Sequence, residues 1–445
     1  MKHVRLLIAM TLGLGLILGL LWTLRGSSCA ALGQSTRAFI PPSLTRWHAP
    51  VVVTGSLLSD LAGSPIDEVF VYAYQDATPA QIPFQIDERD ASGAYVVVED
   101  GQLDGNDELV FMAADGGGWV DHPLLGTNGS SITPTYVITI TDPVGNAHAW
   151  AYVFRSAALS RVATADYVSY DDGNDRITSS NRYALGFDAT HGFVDHLTLG
   201  DSEQDLLDRT KLRISGTIEV HGIPIPLSLN EENTSKDAVH AIDGPVRVTR
   251  VSTSTRPGEG GLVQDVATLF AYRSLVVRPD TVVIPGDPAD VVYLRSSMDW
   301  NGHASGMVFY DANNPAGVTI DGSPDTITTT PPGEWTQVTG VTGTIVTVSR
   351  IPDGLGGSQS TYYKDDGSVA DGSDTGDQLS YGDAGLQVQD PISGSYVVLA
   401  HIYFPTHTLA NVGAAYLDDY DNPLQVSVGT VDLRWYTYLP LVARD

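Results

Sequence analysis

What most constrains this chain is a repeated alternation of short apolar runs with turns built from Asp, Gly and Asn. Residues 51–54, 69–74, 95–98, 109–112, 136–141 and 150–154 read as strands of four to six residues. They are separated by turn pairs such as Asp100-Gly101, Asp104-Gly105 and Asp115-Gly116. Asp and Gly form helices poorly and turns well, so such spacing predicts sheets joined by tight loops. The fold expected is all-β, with two β-sandwich-like domains, the second large, after an N-terminal apolar helix.

The domain boundaries follow from the same pass. Residues 46–157 form a first β domain, reached through a Pro-containing linker at 34–45. Residues 166–416 form a large second one, with strand candidates at 182–187, 211–220, 246–252, 266–277, 290–294, 306–310, 344–349 and 396–403. A single short helix is expected at 202–210, where Ser202 can cap and Gln204 and Asp205 follow. The acidic stretch 351–389 has too few apolar residues to bury a face and reads as a long loop. Residues 417–445 carry a last strand and an apolar tail.

Residues 6–24 are uncharged and strongly apolar, behind Lys2 and Arg5 and ahead of Arg25. That is an export signal by pattern, and its 19 residues also lie within the roughly 17–25 that span a bilayer. Residues 1–33 are therefore a signal peptide or a signal anchor. Cleavage after Ala30, Ala31 or Gly33 would remove Cys29, the only cysteine. Acylation at Cys29 is disfavoured because Gly26 stands where a larger aliphatic residue is usual. The formal charge of -29 and the presence of only four lysines exclude a polyanion-binding surface, so no nucleic-acid partner is expected. A membrane enters only through residues 6–24, if the signal is retained. The expected location is extracellular or at the cell surface.

The C-terminal Tyr438-Leu439-Pro440-Leu441-Val442, followed by Arg444, resembles the short terminal motif on many exported proteins of filamentous green non-sulfur bacteria. The resemblance implies a secreted or surface-held protein and a tail read during export or attachment. It leaves the body of the chain unassigned.

Chemistry-bearing residues are scattered. Gln85 and Asp87 beside Pro83, with Asp104, Asn106 and Asp107 on the next segment, are placed to form a carboxylate and amide cluster. The alternatives there are a self-satisfied turn and a calcium ion on Asp104 and Asn106. Asp371, Ser373, Thr375 and Asp377, with Gly376 at the sixth place, follow the opening of a calcium loop. The twelfth place is Gly382, so the bidentate glutamate of that loop is missing. Histidine pairs His191/His196 and His401/His407 lack zinc spacing. Acid–base or proton-abstraction chemistry on a sugar would draw on His191, Asp195, Tyr272, Arg273, Arg295, Asp299 and His401. Trp300 is the candidate for stacking on a sugar ring, against a packing role. Arg247 and Arg250, three apart on a strand, read as surface residues balancing Asp, although one turned inward would require a carboxylate. No nucleotide, flavin or haem is expected; calcium is the one cofactor considered. The reading is an extracellular or surface-held structural or glycan-binding protein, whose partner is a cell-envelope component or polysaccharide. The alternative is a secreted polysaccharide lyase or glycoside hydrolase with its site in the larger domain.

Overall fold

The computed structural model describes residues 39–121, 123–125, 134–258, 261–368 and 374–431. Segment 1–33 with its apolar residues 6–24, Cys29, loop residues Asp371 and Ser373, and the 438–442 tail lie outside the described residues. Among the described residues no helix is long and apolar enough to cross a membrane.

The chain is all-β, built from antiparallel sheets. In the first region, Pro50–Thr54, Glu108–Met112 and Gln85–Asp87 make a three-stranded sheet. It faces a five-stranded sheet ordered Gln425–Thr430, Tyr136–Thr141, His148–Arg155, Val69–Gln75 and Thr78–Gln81. Period-two burial explains the packing. Tyr136, Ile138 and Ile140 are buried while Val137, Thr139 and Thr141 are not, and the buried set joins Val53, Phe111, Val71 and Val153 in one core. The edge strand of this sheet comes from the far end of the chain, since Gln425–Thr430 pairs along Tyr136–Thr141.

The second region begins with a four-stranded meander, Val168–Asp171, Arg176–Ser179, Tyr183–Phe187 and Val194–Leu199. Two larger sheets follow. One has five strands, in the order Ile223–Asn230, Leu207–Val220, Ala289–Trp300, Ser380–Gln389, Ser358–Asp366. The other has nine, running from Ser235–Asp243 at one edge to Val318–Thr319 at the other, with Leu275–Ile284 and Gly394–Tyr403 side by side near its middle. Their facing sides share a core that includes Trp300, Phe309, Val276, Val338 and Ile402.

Five expectations change. The helix expected at 202–210 is absent: the Ser202 hydroxyl accepts from Gln204 N at 3.1 Å in a local turn, and the chain enters the long strand at Leu207. The strand expected at 95–98 reduces to one bridge at Tyr95, and Val97 and Val98 stand 59% and 74% exposed. Their backbone finds no ladder because the Glu88 carboxylate draws in the N–H groups of Asp100 and Gly101 at 3.1 and 2.7 Å. The acidic stretch expected as a loop holds two paired strands, Ser358–Asp366 and Ser380–Gln389, whose polar side chains are satisfied by ions rather than by water. The described residues contain one α-helix, Gly413–Asp421, where no helix was expected. It packs so closely on Trp335 that a Cβ at Gly413 would come within 1.9 Å of the indole. Arg46 donates to the carbonyls of Asp419 and Asn422 at its C-terminal end, where a cation suits both the orphan acceptors and the dipole.

Arg247 and Arg250 are the fifth change, because both are buried. Arg247, 2% exposed, donates from Nε to Asp87 Oδ2 and from Nη2 to Glu108 Oε2, each at 2.6 Å, and from Nη1 to the Tyr272 hydroxyl at 3.3 Å. Gln85 completes the cluster by accepting from Val246 N and Arg247 N at 2.9 and 2.8 Å and donating to Asp87 Oδ1 and Arg247 O. Glycine is required at 244, where a Cβ would lie 2.3 Å from Gln85 Oε1. Arg250 forms a fork onto Asp175, both contacts 2.7 Å, beneath the Phe187 ring. Removing one partner of such a buried set strands the others. Arg247→Met is expected to lower unfolding free energy by about 3–5 kcal/mol in denaturant titration, through the orphaned Asp87 and Glu108. A loss below about 1 kcal/mol would show that the pair is not held out of water.

Candidate functional site

The five-stranded sheet has two chemically different faces, set by alternation along its strands. On Leu207–Val220, Lys211 and Arg213 point one way and Thr210, Leu212 and Ile214 the other. Register places Lys211 opposite Ser297 and Arg213 opposite Arg295, so the first face gathers cations. That gathering requires carboxylates.

They come from four segments. Lys211 Nζ contacts Asp299 Oδ2 and lies 2.9 Å from Asp374 Oδ1, and neither Lys211 nor Asp299 has any exposed side-chain surface. Arg213 binds Glu231 Oε2 through Nη1 and Asp374 Oδ1, at 2.8 Å, through Nη2. Arg295 Nη1 lies 3.5 Å from Asp383 Oδ2, and its guanidinium covers the Tyr362 ring at 4.0 Å. The Thr375 hydroxyl donates to Glu231 and accepts from Arg213, closing the lattice from outside. Burial first, and the Asp383 charge second, hold the Asp299 carboxyl well above the usual carboxylate range.

The opposite face looks into a cleft. Here the five- and nine-stranded sheets part around a cavity of about 560 Å³. Leu212, Met298 and Trp300 form part of one wall; Ser252, Ser254, Thr347 and Ser349 lie on the other. Two arginine–carboxylate pairs line it as well, Arg256 with Asp265 and Arg278 with Asp280, the latter at 3.0 Å. The Thr347 hydroxyl reaches across to Met298 Sδ at 3.9 Å.

The sequence candidates do not converge on one point. Arg295 and Asp299 share the lattice face. His191 pairs with Asp188 at 3.0 Å, and burial pushes the Asp195 carboxyl up on a neighbouring strand. Arg273 lies over the Tyr167 ring at 5.0 Å, and Tyr272 serves Arg247. His401 bonds the Tyr403 hydroxyl through Nδ1 at 3.1 Å and meets the Tyr420 ring edge-on, on the helix side of the nine-stranded sheet. Trp300 is 3% exposed and belongs to the core that floors the cleft, not to an exposed loop. Of the calcium-loop residues, Thr375 is engaged in the lattice, while Asp377 accepts from Leu379 N and its own N–H binds Asp208. Asp104 and Asn106 sit in a turn closed by Asp107 Oδ2 on Asp104 N, and the Asn106 amide donates to two backbone carbonyls.

Among the described residues two sets of three carboxylates come within 4.8 Å of one another. One is Glu88, Glu99 and Asp100; the other is Asp208, Asp299 and Asp377. The second set already surrounds an ammonium, since Lys211 touches Asp299 and lies 4.0 Å from Asp208. Lys211, Asp383 and Asp374 were missed in the sequence. The available signal was a lysine placed mid-strand in a chain with only four of them.

No family model and no curated protein sequence matches the chain. Solved structures that are similar include an alpha-mannosidase from Enterococcus faecalis, at 9% identity and a TM-score of 0.44, over 89% of this chain and 46% of that one. A protein in glycosyl hydrolase family 38, also from Enterococcus faecalis, gives 10% and 0.45 over 90% and 48%. An alpha-N-acetylgalactosaminidase from Bifidobacterium bifidum gives 11% and 0.35 over 55% and 38%. The chain spans less than half the length of each.

Titration of His401 has a definite sign. Its imidazole ordinarily titrates near 6.5; burial first and His48 second push it down to about 4 in the fold. Between those values the unfolded chain binds a proton that the folded chain refuses, so stability falls as pH drops through the window, by at most about 3 kcal/mol. Asp208 acts oppositely, because burial raises its carboxyl to about 6 and its contribution is lost as pH rises through that value. Comparing the native chain with His401→Gln in denaturant at pH 4.5 and 7 (about two units of the window) isolates the first effect. The variant is expected to lose less stability on acidification, and parallel losses would refute the assignment.

Proposed function

We propose that this is an extracytoplasmic, surface-held β-sandwich protein that holds a glycan in the cleft between its two large sheets. The observation that carries the reading is the lining of that cleft, with aliphatic groups on one wall, hydroxyls on the other and guanidinium–carboxylate pairs as well. A sugar ring offers a C–H face for the first and hydroxyls for the rest. The apolar residues 6–24 and the acidic, lysine-poor body support export.

Binding is favoured over cleavage on the chemistry of the carboxylates. Glycoside hydrolysis needs one carboxyl kept protonated beside the substrate and a second one ionised across from it. Asp299 and Asp383, whose carboxyls burial raises, lie on the other face of the sheet and have no exposed surface. Asp265 and Asp280, which do line the cleft, are each bridged by an arginine.

Titrating the purified protein with soluble neutral and uronic-acid oligosaccharides in a calorimeter tests the reading, with reducing and unsaturated ends assayed in parallel. Saturable binding without new ends is expected. Arg278→Ala should weaken it about tenfold, the loss of one charged hydrogen bond. Absence of binding across the panel would refute the proposal, and release of ends would favour the enzyme. The Glu88, Glu99 and Asp100 group is the place proposed for calcium: Glu99 is pushed up by burial and by the neighbouring Asp100, Asp104 and Asp107 charges, a repulsion that a divalent ion relieves. Calcium is expected to raise the melting temperature by a few degrees over a chelator-treated sample. Superimposable melts would remove the ion.

A further inference from the structure

We propose that Lys211 and Asp299 condense into an intramolecular amide, a covalent bond between adjacent strands formed by the folded chain itself. The two strands, Leu207–Val220 and Ala289–Trp300, run antiparallel with Arg209 opposite Asp299, so the Lys211 side chain reaches its target diagonally across the ladder. Both side chains are wholly enclosed, and Nζ is in direct contact with the carboxyl group. Of the four lysines, Lys211 alone is described with no exposed side-chain surface.

The surroundings suit an acyl transfer. Asp299 Oδ1 accepts from the backbone N–H of Tyr381 at 3.3 Å, a donor placed to stabilise negative charge on that oxygen as the carbon becomes tetrahedral. Oδ2 takes no hydrogen bond of ordinary geometry, which leaves it as the departing oxygen. Asp383, also fully buried, acts electrostatically on both partners, and Asp374 Oδ1, 2.9 Å from Nζ, holds the amine in place. The carboxylates outweigh burial and hold the Lys211 ammonium above its ordinary range, so the amine is freed only by passing its proton within the site; the uncharged amine and acid are the reactive pair.

The bonds and protons balance within the site. Nζ gives one proton directly to Asp299 Oδ2, with which it is in contact, and the freed lone pair attacks Cγ. The N–Cγ bond forms, a second proton leaves the nitrogen by the same route, and the Cγ–Oδ2 bond breaks. One ammonium and one carboxylate become one amide and one water, with no oxidant or external reagent. The chain has a single cysteine and so cannot form a disulfide within itself; an amide would lock strands that a disulfide cannot.

The test is mass spectrometry of the full-length protein as isolated, with its N-terminus sequenced to fix the expected mass. A deficit of about 18 Da, one water, is expected. Trypsin should fail at Lys211 and yield residues 210–213 joined to residues 296–350. Full mass, with the two peptides recovered separately, would overturn the proposal. Lys211→Arg and Asp299→Ala should each restore full mass; either variant keeping the deficit would place the lost water elsewhere and overturn the proposal. Because the decisive reading is made on the native chain, a variant that fails to fold does not weaken it.

Discussion

The structure depends first on the buried Arg247 and the two carboxylates it holds. Glu108–Met112 is buried along its whole length, because Leu109 and Phe111 face the first core while Val110 and Met112 face outward into a second cluster with Tyr272, Leu275 and Val348. A strand apolar on both sides fixes that two regions meet there but not in which register. Arg247 supplies the register, since its fork fits Asp87 and Glu108 only when both strand ends are in place. Hydrophobic contact provides most of the adhesion and the ion cluster makes it specific.

A second buried lattice does comparable work on the five-stranded sheet, by different means. Residues 358–366 and 380–389 have too little apolar surface to hold a sheet by packing. They remain strands because the polar face is stitched by Lys211, Arg213 and Arg295 to Asp299, Asp383, Asp374 and Glu231. Burying so many ions is costly, and the cost is met only when every charge has a partner.

This separates what the sequence made legible from what it did not. Strands at 136–141 and 150–154 could be read because alternation and burial coincide along Tyr136–Thr141. The shared face of His401 and Tyr403 was also legible, whereas Gln85 and Asp87 cluster with Arg247 and Glu108 and not with Asp104 and Asn106, which serve their own turn. Arg247 and Arg250 were misread because a charged residue on a strand looks the same whether its partner is water or a carboxylate some 75 to 160 residues away. The acidic strands were misread for the same reason. Alternation reports which face is apolar; it is silent about polar faces that are buried in pairs.

The two faces of Leu207–Val220 bear on one another. Where the large sheets part around the cleft, the lining forfeits the dispersion contacts that a closed sandwich would make. A wall that gains less from its inner face must be held by its outer one. Leu212 and Met298 line the cleft, and the residues beside them in the chain, Lys211 and Asp299, anchor the lattice. Each strand therefore presents a cleft-facing side chain one residue from an anchored one. The spacing couples the shape of the cleft to the integrity of the lattice, so the buried polar groups act on the cleft by setting where its wall stands.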